Sequence, residues 1–177
     1  MNNDEILPLF IHNKKIFSDY QLIGHDENAL TYALGHCLSV DRGFLSSFLK
    51  KCQFKGITKA NLGDTEIYLQ KDEHQSGIVD LEIVIQDRLE LIVEAKVGKG
   101  YPRRDQIQKY IRRLRDRGIQ SKVIVLTKII DGKVKGNLEN EFGKQIGFLT
   151  WLDILELSQK LEEHEGSTFR PCDLSIF

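Results

Sequence analysis

Two strongly apolar stretches joined by a compact polar turn limit the fold of this chain more than any other feature. Residues 78–85 and 89–97 are rich in Ile, Leu and Val, and the turn between them is Gln-Asp-Arg. Runs of β-branched residues on either side of a short turn are typical of a β-hairpin. The sequence therefore predicts an antiparallel hairpin in which Ile85 pairs with Leu89.

This register determines which acidic residues meet. Paired residue numbers keep a constant sum along an antiparallel ladder, so Asp80 is predicted to lie opposite Glu94. Side chains alternate between the two faces of a strand, so Lys96 shares the face of Glu94. Opposed Cβ atoms in such a pair lie about 4.5–5.5 Å apart. The hairpin therefore predicts a cluster of Asp80, Glu94 and Lys96.

Two carboxylates at this separation repel each other unless a positive charge offsets them. Mg²⁺ suits the position because it prefers oxygen ligands and needs only one or two carboxylates besides water and phosphate oxygens. A bound metal lowers the pKa of water and stabilises charge on a phosphate, while Lys96 can orient or deprotonate the nucleophile. The cluster therefore predicts phosphodiester hydrolysis with Mg²⁺ or Mn²⁺ as cofactor.

Other interpretations of the hairpin stay open. A register shift of one residue would place the two acids on opposite faces. Glu82 and Glu90 lie on the same strands and are alternative members of the cluster. The acids could also line a solvated face on which Lys96 forms only a salt bridge. Against this last interpretation, acids that interrupt strongly apolar strands cost stability unless they have a role.

The remaining pattern predicts the fold class. Predicted helices cover residues 44–51 and 103–116, and two further helices follow N-caps at Asp26 and at Asp153, the last running to Leu161. Further strands are predicted at residues 66–70, 123–127 and 146–151. This order predicts an α/β sandwich in which helices flank a central mixed β-sheet. At 177 residues, the chain is expected to form a single domain spanning residues 1–177.

Composition excludes several classes of protein. The chain is 41% hydrophobic and 29% charged, which argues against disorder. No apolar run approaches the roughly 20 residues of a membrane span, and the first residues lack a secretory signal, so a cytoplasmic location is expected. The cysteines and histidines are scattered without metal-binding spacing. Any metal site must therefore be built from oxygen ligands.

The net charge of −1 conceals a basic stretch. Residues 99–122 contain nine Lys or Arg residues and only two acids. Such a stretch can form a face that binds a polyanion, or it can simply be the solvated side of a helix.

The residues Asp80 and Glu94-Ala95-Lys96 resemble the split signature of the PD-(D/E)xK nuclease superfamily. Two further features strengthen the resemblance. Gln106-Ile107-Gln108-Lys109-Tyr110 is similar to the Q-x-x-x-Y helix of the exonuclease-like branch, and residues 27–34, Glu-Asn-Ala-Leu-Thr-Tyr-Ala-Leu, resemble the opening helix of a prokaryotic and phage-related group. The chain departs from the signature at Val79, where the name-giving proline would stand.

The resemblance implies a restriction-endonuclease-like three-layer sandwich and assigns roles. Glu27, Asp80, Glu94 and the Ala95 carbonyl would hold one or two Mg²⁺ or Mn²⁺ ions. Lys96 would assist the attacking water, Gln106 would orient Lys96 or the phosphate, and cleavage would leave a 5′-phosphate. Local interpretations remain for two residues: Glu27 suits the first turn of any helix, and the residue at the end of the Q-x-x-x-Y motif, Tyr110, could simply pack in the core.

DNA is the expected partner. The residues expected to contact its backbone are Arg103, Arg104, Lys109, Tyr110, Arg112 and Arg113. Phosphate contacts carry no sequence information. The protein is therefore expected to show little base preference or to be targeted by a separate protein. Its expected role is in repair, restriction or phage defence. A homodimer is compatible with this role. Two alternatives are a catalytically silent nucleic-acid-binding module using residues 103–117 and an interaction subunit whose charged helix docks an acidic protein.

Overall fold

The computed structural model describes residues 8–11, 14–15, 28–73, 77–98, 100–114 and 118–165. Their strands are β1 (Leu9–Ile11), β2 (Lys14–Lys15), β3 (Thr65–Glu73), β4 (Gly77–Ile85), β5 (Leu89–Ala95), β6 (Gln120–Thr127) and β7 (Ile146–Thr150). Their helices are α1 (Ala29–Val40), α2 (Arg42–Lys51), α3 (Arg104–Leu114), α4 (Gly132–Phe142) and α5 (Trp151–Glu165). Within these ranges, no helix has the length and apolar character needed to cross a membrane.

The seven strands form one mixed sheet in the order β2-β1-β3-β4-β5-β6-β7. Strands β3, β4 and β5 are antiparallel neighbours, whereas β6 and β7 continue the sheet parallel to β5. Strands β3, β5, β6 and β7 consequently end where β4 begins. We call this side of the sheet the carboxyl end.

Helices cover both faces of the sheet. Helices α1, α2 and α5 bury one apolar cluster against β3, β4 and β5, in which Leu38, Phe48 and Leu81 are fully buried. Helices α3 and α4 bury a second cluster on the other face, where Ile107 and Tyr110 of α3 are fully buried. The predicted three-layer α/β sandwich with a central mixed sheet is confirmed.

The register of the hairpin is the one predicted from the sequence. The ladder between β4 and β5 runs from Ile85↔Leu89 to Leu81↔Val93. The turn closes through the backbone hydrogen bond from Arg88 N to Ile85 O, and Asp87 adopts a φ of 57°. Asp tolerates this left-handed conformation better than most residues. Because Ile85 pairs with Leu89 in the structure, a one-residue shift of the ladder is excluded.

The elements differ from the prediction in several places, including β1 and β2, which were not predicted. Helix α4 was not predicted, although Val134, Leu138 and Phe142 recur at a spacing of four and Asp131 caps the helix by accepting from Lys133 N and Val134 N. Helix α5 begins at Trp151, so Asp153 is not its N-cap. Asp153 lies in the first turn, where it accepts from Thr150 N, while Thr150 Oγ1 accepts from Asp153 N. Strand β5 ends at Ala95 rather than at residue 97.

Helix α1 approaches the sheet closely at Gly35, and this contact gives a stability prediction. A Cβ atom at Gly35 would lie 2.7 Å from Cδ2 of Leu69, which is fully buried. We expect Gly35→Ala to destabilise the fold by about 1–3 kcal/mol through overpacking, although alanine favours helices by ~1 kcal/mol. Urea unfolding followed by circular dichroism measures the change.

Gly136 in α4 provides a matched control, because a Cβ atom at this position would meet open space among the described residues. Gly136→Ala should be neutral or stabilising, by up to ~1 kcal/mol. Equal unfolding midpoints for the two alanine variants would contradict the close packing of α1 on β3.

Candidate functional site

The ladders of the sheet are interrupted at Asp80. Strands β3 and β4 pair at Leu69↔Leu81 and again at Lys71↔Val79, but Gln70 and Asp80 between them do not pair. Gln70 has a φ of 47°, which is unusual for a residue other than glycine. Residues kept in such strained conformations are frequent at functional sites.

The Asp80 carboxylate lies in this interruption. Its Oδ1 accepts a hydrogen bond from Gln70 Nε2 at 3.1 Å, and its Oδ2 accepts from the backbone N of Ala95 at 2.8 Å. The same Gln70 amide also donates to Asn28 Oδ1 at 3.1 Å, just before α1. Asp80 is thereby fixed beside the end of β5, and the beginning of α1 lies near it.

Glu94 completes the acidic pair from the neighbouring position on β5. It is only 1% exposed. Its Oε1 accepts from Lys96 Nζ at 2.7 Å and its Oε2 accepts from the Tyr110 hydroxyl at 3.1 Å. Asp80, Glu94 and Lys96 therefore converge at the carboxyl end of the sheet, although the ladder ends at Leu81↔Val93, one pair before the predicted pairing of Asp80 with Glu94.

Helix α3 supports Glu94 from the adjacent layer. Gln106 Nε2 donates to the Tyr110 hydroxyl at 2.9 Å. That hydroxyl has two acceptors for its single proton, Glu94 Oε2 and the carbonyl of Ile78 at 3.0 Å. Gln106 thus reaches the acidic pair through Tyr110 rather than through Lys96. Tyr110 is fully buried, so the predicted contact between Tyr110 and nucleic acid is wrong, and its side chain holds Glu94 instead.

Burial and neighbouring charge set the protonation of this cluster. Burial raises the pKa of the Glu94 carboxyl, and the charge of Asp80 raises it further, against the hydrogen bonds from Lys96 and Tyr110. Burial also raises the pKa of Tyr110, as does the negative charge of Glu94, so the phenol remains a neutral donor. Two acids that share one amine favour a further cation at this position.

The donor set fits a divalent cation. Each oxygen of Asp80 and Glu94 accepts one hydrogen bond and keeps further lone-pair capacity. Two carboxylates suffice for Mg²⁺ when water and phosphate oxygens complete the shell. In the part of the chain that the structure describes, no group of three or more His, Cys, Asp or Glu side chains is placed to bind a metal. The third predicted acid, Glu27, lies outside the described residues.

Backbone groups and supporting side chains complete the surroundings of this pair. Ala95 belongs to the site through its N–H, which donates to Asp80, and its carbonyl stays a predicted ligand. Gln70 and Trp151 were not predicted from the sequence. Trp151 Nε1 donates to the carbonyl of Lys96 at 3.3 Å and so fixes the backbone that carries the amine. A lone Gln within a strand and a Trp after a strand give no local signal of either contact.

Glu82 and Glu90, the alternative acids, belong to a separate buried ion cluster. Arg113 Nη2 donates to Glu82 Oε1 and to Glu90 Oε1, the latter at 3.2 Å, and Lys71 Nζ lies 2.7 Å from Glu82 Oε2. Both glutamates are fully buried and the Arg113 side chain is 8% exposed. The predicted contact between Arg113 and DNA phosphates is therefore wrong, because its guanidinium is bonded to the two buried acids.

The rest of the basic stretch divides into exposed and buried members. Arg103, Lys109 and Arg112 are exposed, and Arg104 is exposed while it binds Glu141 through two hydrogen bonds of 2.7 Å. Lys122 is buried and donates to the carbonyl of Cys52 at 3.0 Å. The charge count of the sequence thus overstates the basic surface by at least Arg113 and Lys122.

Comparison with known proteins gives little further information. No protein-family model matches the chain, and no curated protein matches it. Among solved structures, the chain is similar to protein VC1899 from Vibrio cholerae, at 14% sequence identity and a TM-score of 0.41. The match covers 78% of this chain and 36% of that one, so the chain spans about a third of the length of VC1899.

Proposed function

We propose that this chain is a metal-dependent nuclease of the PD-(D/E)xK type that hydrolyses DNA phosphodiester bonds with little intrinsic sequence specificity. The observation that carries the proposal is the convergence of Asp80, Glu94 and Lys96 where β4 and β5 separate. Placing two acids and an amine together at the end of a buried sheet costs folding free energy. A site that binds a divalent cation and a phosphate accounts for all three.

The proposed roles follow from the contacts. Asp80 and Glu94 would hold Mg²⁺ or Mn²⁺, together with the Ala95 carbonyl and Glu27. The bound ion would lower the pKa of a water molecule and stabilise negative charge on the phosphate. Lys96, held by Glu94, would orient that water or accept its proton. Tyr110 and Gln106 keep Glu94 in place.

Exposed basic residues at the start of and along α3 would contact the substrate backbone. We assign this role to Arg103, Arg104, Lys109 and Arg112. Phosphate contacts give affinity and salt dependence without sequence information. A function in repair, restriction or phage defence, with targeting by a separate protein or by homodimerisation, is consistent with such an enzyme in the cytoplasm.

A cleavage assay tests the proposal. The protein is incubated with circular duplex, linear duplex and single-stranded DNA, and with RNA, in Mg²⁺, Mn²⁺ or EDTA. Ion-dependent cleavage that leaves a 5′-phosphate is expected. Cleavage that persists in EDTA would contradict the proposal. Salt-sensitive binding that needs no divalent ion, without cleavage of any substrate, would instead favour a silent binding module built on the same basic residues.

Gln70 gives a prediction on the support of the metal site. Gln70→Gly keeps a residue that tolerates the φ of 47° but removes the amide bonded to Asp80. Loss of such a supporting hydrogen bond typically weakens metal affinity or activity by roughly 10- to 100-fold. The Mn²⁺ concentration for half-maximal cleavage should rise accordingly, with little change in thermal stability. An unchanged Mn²⁺ requirement would remove Gln70 from the site.

A further inference from the structure

Exposed apolar side chains gather at the end of the sheet that carries the candidate site. Among the described residues, four large hydrophobic side chains are exposed: Ile78 (49%), Val97 (39%), Ile129 (74%) and Leu152 (61%). All four lie within two residues of a strand end at the carboxyl end of the sheet. We call these four residues the apolar rim.

Three members of the rim are connected to the site through chain neighbours or hydrogen bonds. The carbonyl of Ile78 accepts the Tyr110 hydroxyl that also contacts Glu94. Val97 directly follows Lys96 in the chain. Leu152 directly follows Trp151, whose indole donates to the carbonyl of Lys96.

The fourth member, Ile129, borders a pocket next to β5. The pocket has a volume of about 240 Å³ and is lined by Gly98, Gly100, Tyr101, Lys128, Ile129 and Asp131. The Tyr101 hydroxyl donates to the carbonyl of Ile129 at 2.9 Å and accepts from Asp131 N. These bonds hold Tyr101, on one side of the pocket, against the segment of Ile129 and Asp131 on the other. Sites for drug-sized ligands usually occupy roughly 300–1,000 Å³, so this pocket suits a smaller group such as one planar ring system.

Apolar side chains around a phosphodiester site favour one kind of nucleic acid. An intact duplex presents phosphates and sugars to a protein and hides the faces of its bases. Unpaired bases expose those faces, and proteins contact them with apolar or aromatic side chains. The exposed cation Lys128 lines the same pocket and complements a polyanionic strand.

We propose that the site takes a nucleic-acid strand with unpaired bases, such as a single strand or a frayed end, and that the apolar rim contacts the base faces. This inference rests on the proposed nuclease function and specifies its substrate class. The backbone of the strand reaches Asp80, Glu94 and Lys96, while a base next to the scissile phosphate enters the pocket beside Ile129.

Binding in EDTA tests this proposal independently of cleavage. Fluorescence anisotropy compares labelled oligothymidylate with a dumbbell duplex of equal nucleotide count, whose ends are closed and cannot fray. We expect the wild type to bind the single strand at least about 10-fold more tightly, because only the single strand offers base faces to the rim. Ile129→Ser combined with Val97→Ser should weaken single-strand binding by roughly 10-fold, because both substitutions remove apolar surface that a base face would cover. Duplex binding should change little.

Arg103→Gln is the matched control, because loss of a phosphate contact weakens both ligands alike. Equal or tighter binding of the dumbbell, or equal weakening of both ligands by the rim substitutions, would overturn the inference. The inference would also be overturned if the wild type sedimented as a dimer and the rim substitutions dissociated it, since the rim would then be a protein interface. Ion-dependent cleavage without a single-strand preference overturns this inference alone, whereas absence of any cleavage contradicts the proposed function.

Discussion

Lys96→Met is expected to lower the rate of ion-dependent cleavage by about 10²- to 10⁴-fold, the usual contribution of a positioned group that transfers a proton. The Lys96 amine lies 2.7 Å from Glu94 and is partly exposed, so its removal leaves no cavity in the core. Loss of a group that acts in the transition state should lower kcat and kcat/KM together. Single-turnover cleavage of labelled DNA measures the change. Lys160→Met, which replaces an exposed lysine on α5, is the matched control.

Glu94→Gln should abolish cleavage while preserving the fold. The substitution keeps the shape of the side chain and an acceptor for Tyr110 but removes the charge that binds a cation. Because burial and Asp80 raise the pKa of Glu94, ionising its carboxyl costs more in the folded than in the unfolded protein. Glu94→Gln is therefore expected to be at least as stable as the wild type. Glu156→Gln, on the exposed side of α5, should change neither property.

Full activity of either Lys96→Met or Glu94→Gln would contradict the assigned roles. A joint loss of stability and activity in Glu94→Gln would show instead that Glu94 is a structural residue.

Arg113→Met is expected to cause a larger loss of stability than any of the other substitutions. Glu82 and Glu90 are fully buried, and the Arg113 guanidinium bonds both. Removing one partner of a buried ion pair typically costs about 3–5 kcal/mol, since it leaves buried charge uncompensated. Lys71 still neutralises part of the charge on Glu82, so the lower end of this range is expected. Urea unfolding at neutral pH measures the free-energy change.

The pH dependence of this loss has a defined sign. Burial raises the pKa of Glu82 above its usual 4.5, the hydrogen bond with Glu90 raises it further, and Arg113 and Lys71 lower it. A raised folded-state pKa means that the stability from this group is fully present below the unfolded-state pKa and is lost as pH rises through the folded-state pKa. Without Arg113 the folded-state pKa rises, so the stability deficit should grow from about pH 4.5 towards neutrality.

A compensating substitution separates this electrostatic effect from lost packing. Glu82→Gln combined with Arg113→Met removes one buried charge and should recover much of the deficit at neutral pH. A deficit that is constant with pH, or that the double variant does not reduce, would contradict the charge explanation. Weakened DNA binding by a fully stable Arg113→Met would restore this arginine to the phosphate-contacting set.

The sequence predicts the central hairpin because two physical rules act together there. Alternation and a tight turn fix the register, and the register brings Asp80 to the end of β5 beside Glu94 and Lys96. In α3 the alternative interpretation of Tyr110 holds, because it packs in the core together with Ile107.

Other parts of the site depend on tertiary contacts that leave no local pattern. Gln70 belongs to the site because the ladder is interrupted where its backbone has a positive φ. A glycine at this position would have indicated the unusual backbone conformation in the sequence, whereas a glutamine does not. In the sequence, Arg113 cannot be distinguished from the exposed arginines of α3. Its side chain is buried because the helix packs over Glu82 and Glu90. The number of basic residues along a helix therefore predicts a basic surface, but it does not predict which of these residues are buried against acids.

Direct titration with Mn²⁺ tests whether Asp80 and Glu94 form a cation site. Isothermal titration calorimetry, without nucleic acid, compares the wild type with Lys96→Met and with Asp80→Asn combined with Glu94→Gln. The account predicts saturable binding by the wild type, retained binding by Lys96→Met and none by the double variant. Wild-type-like binding of Mn²⁺ by the double variant, or no binding by the wild type, would contradict it.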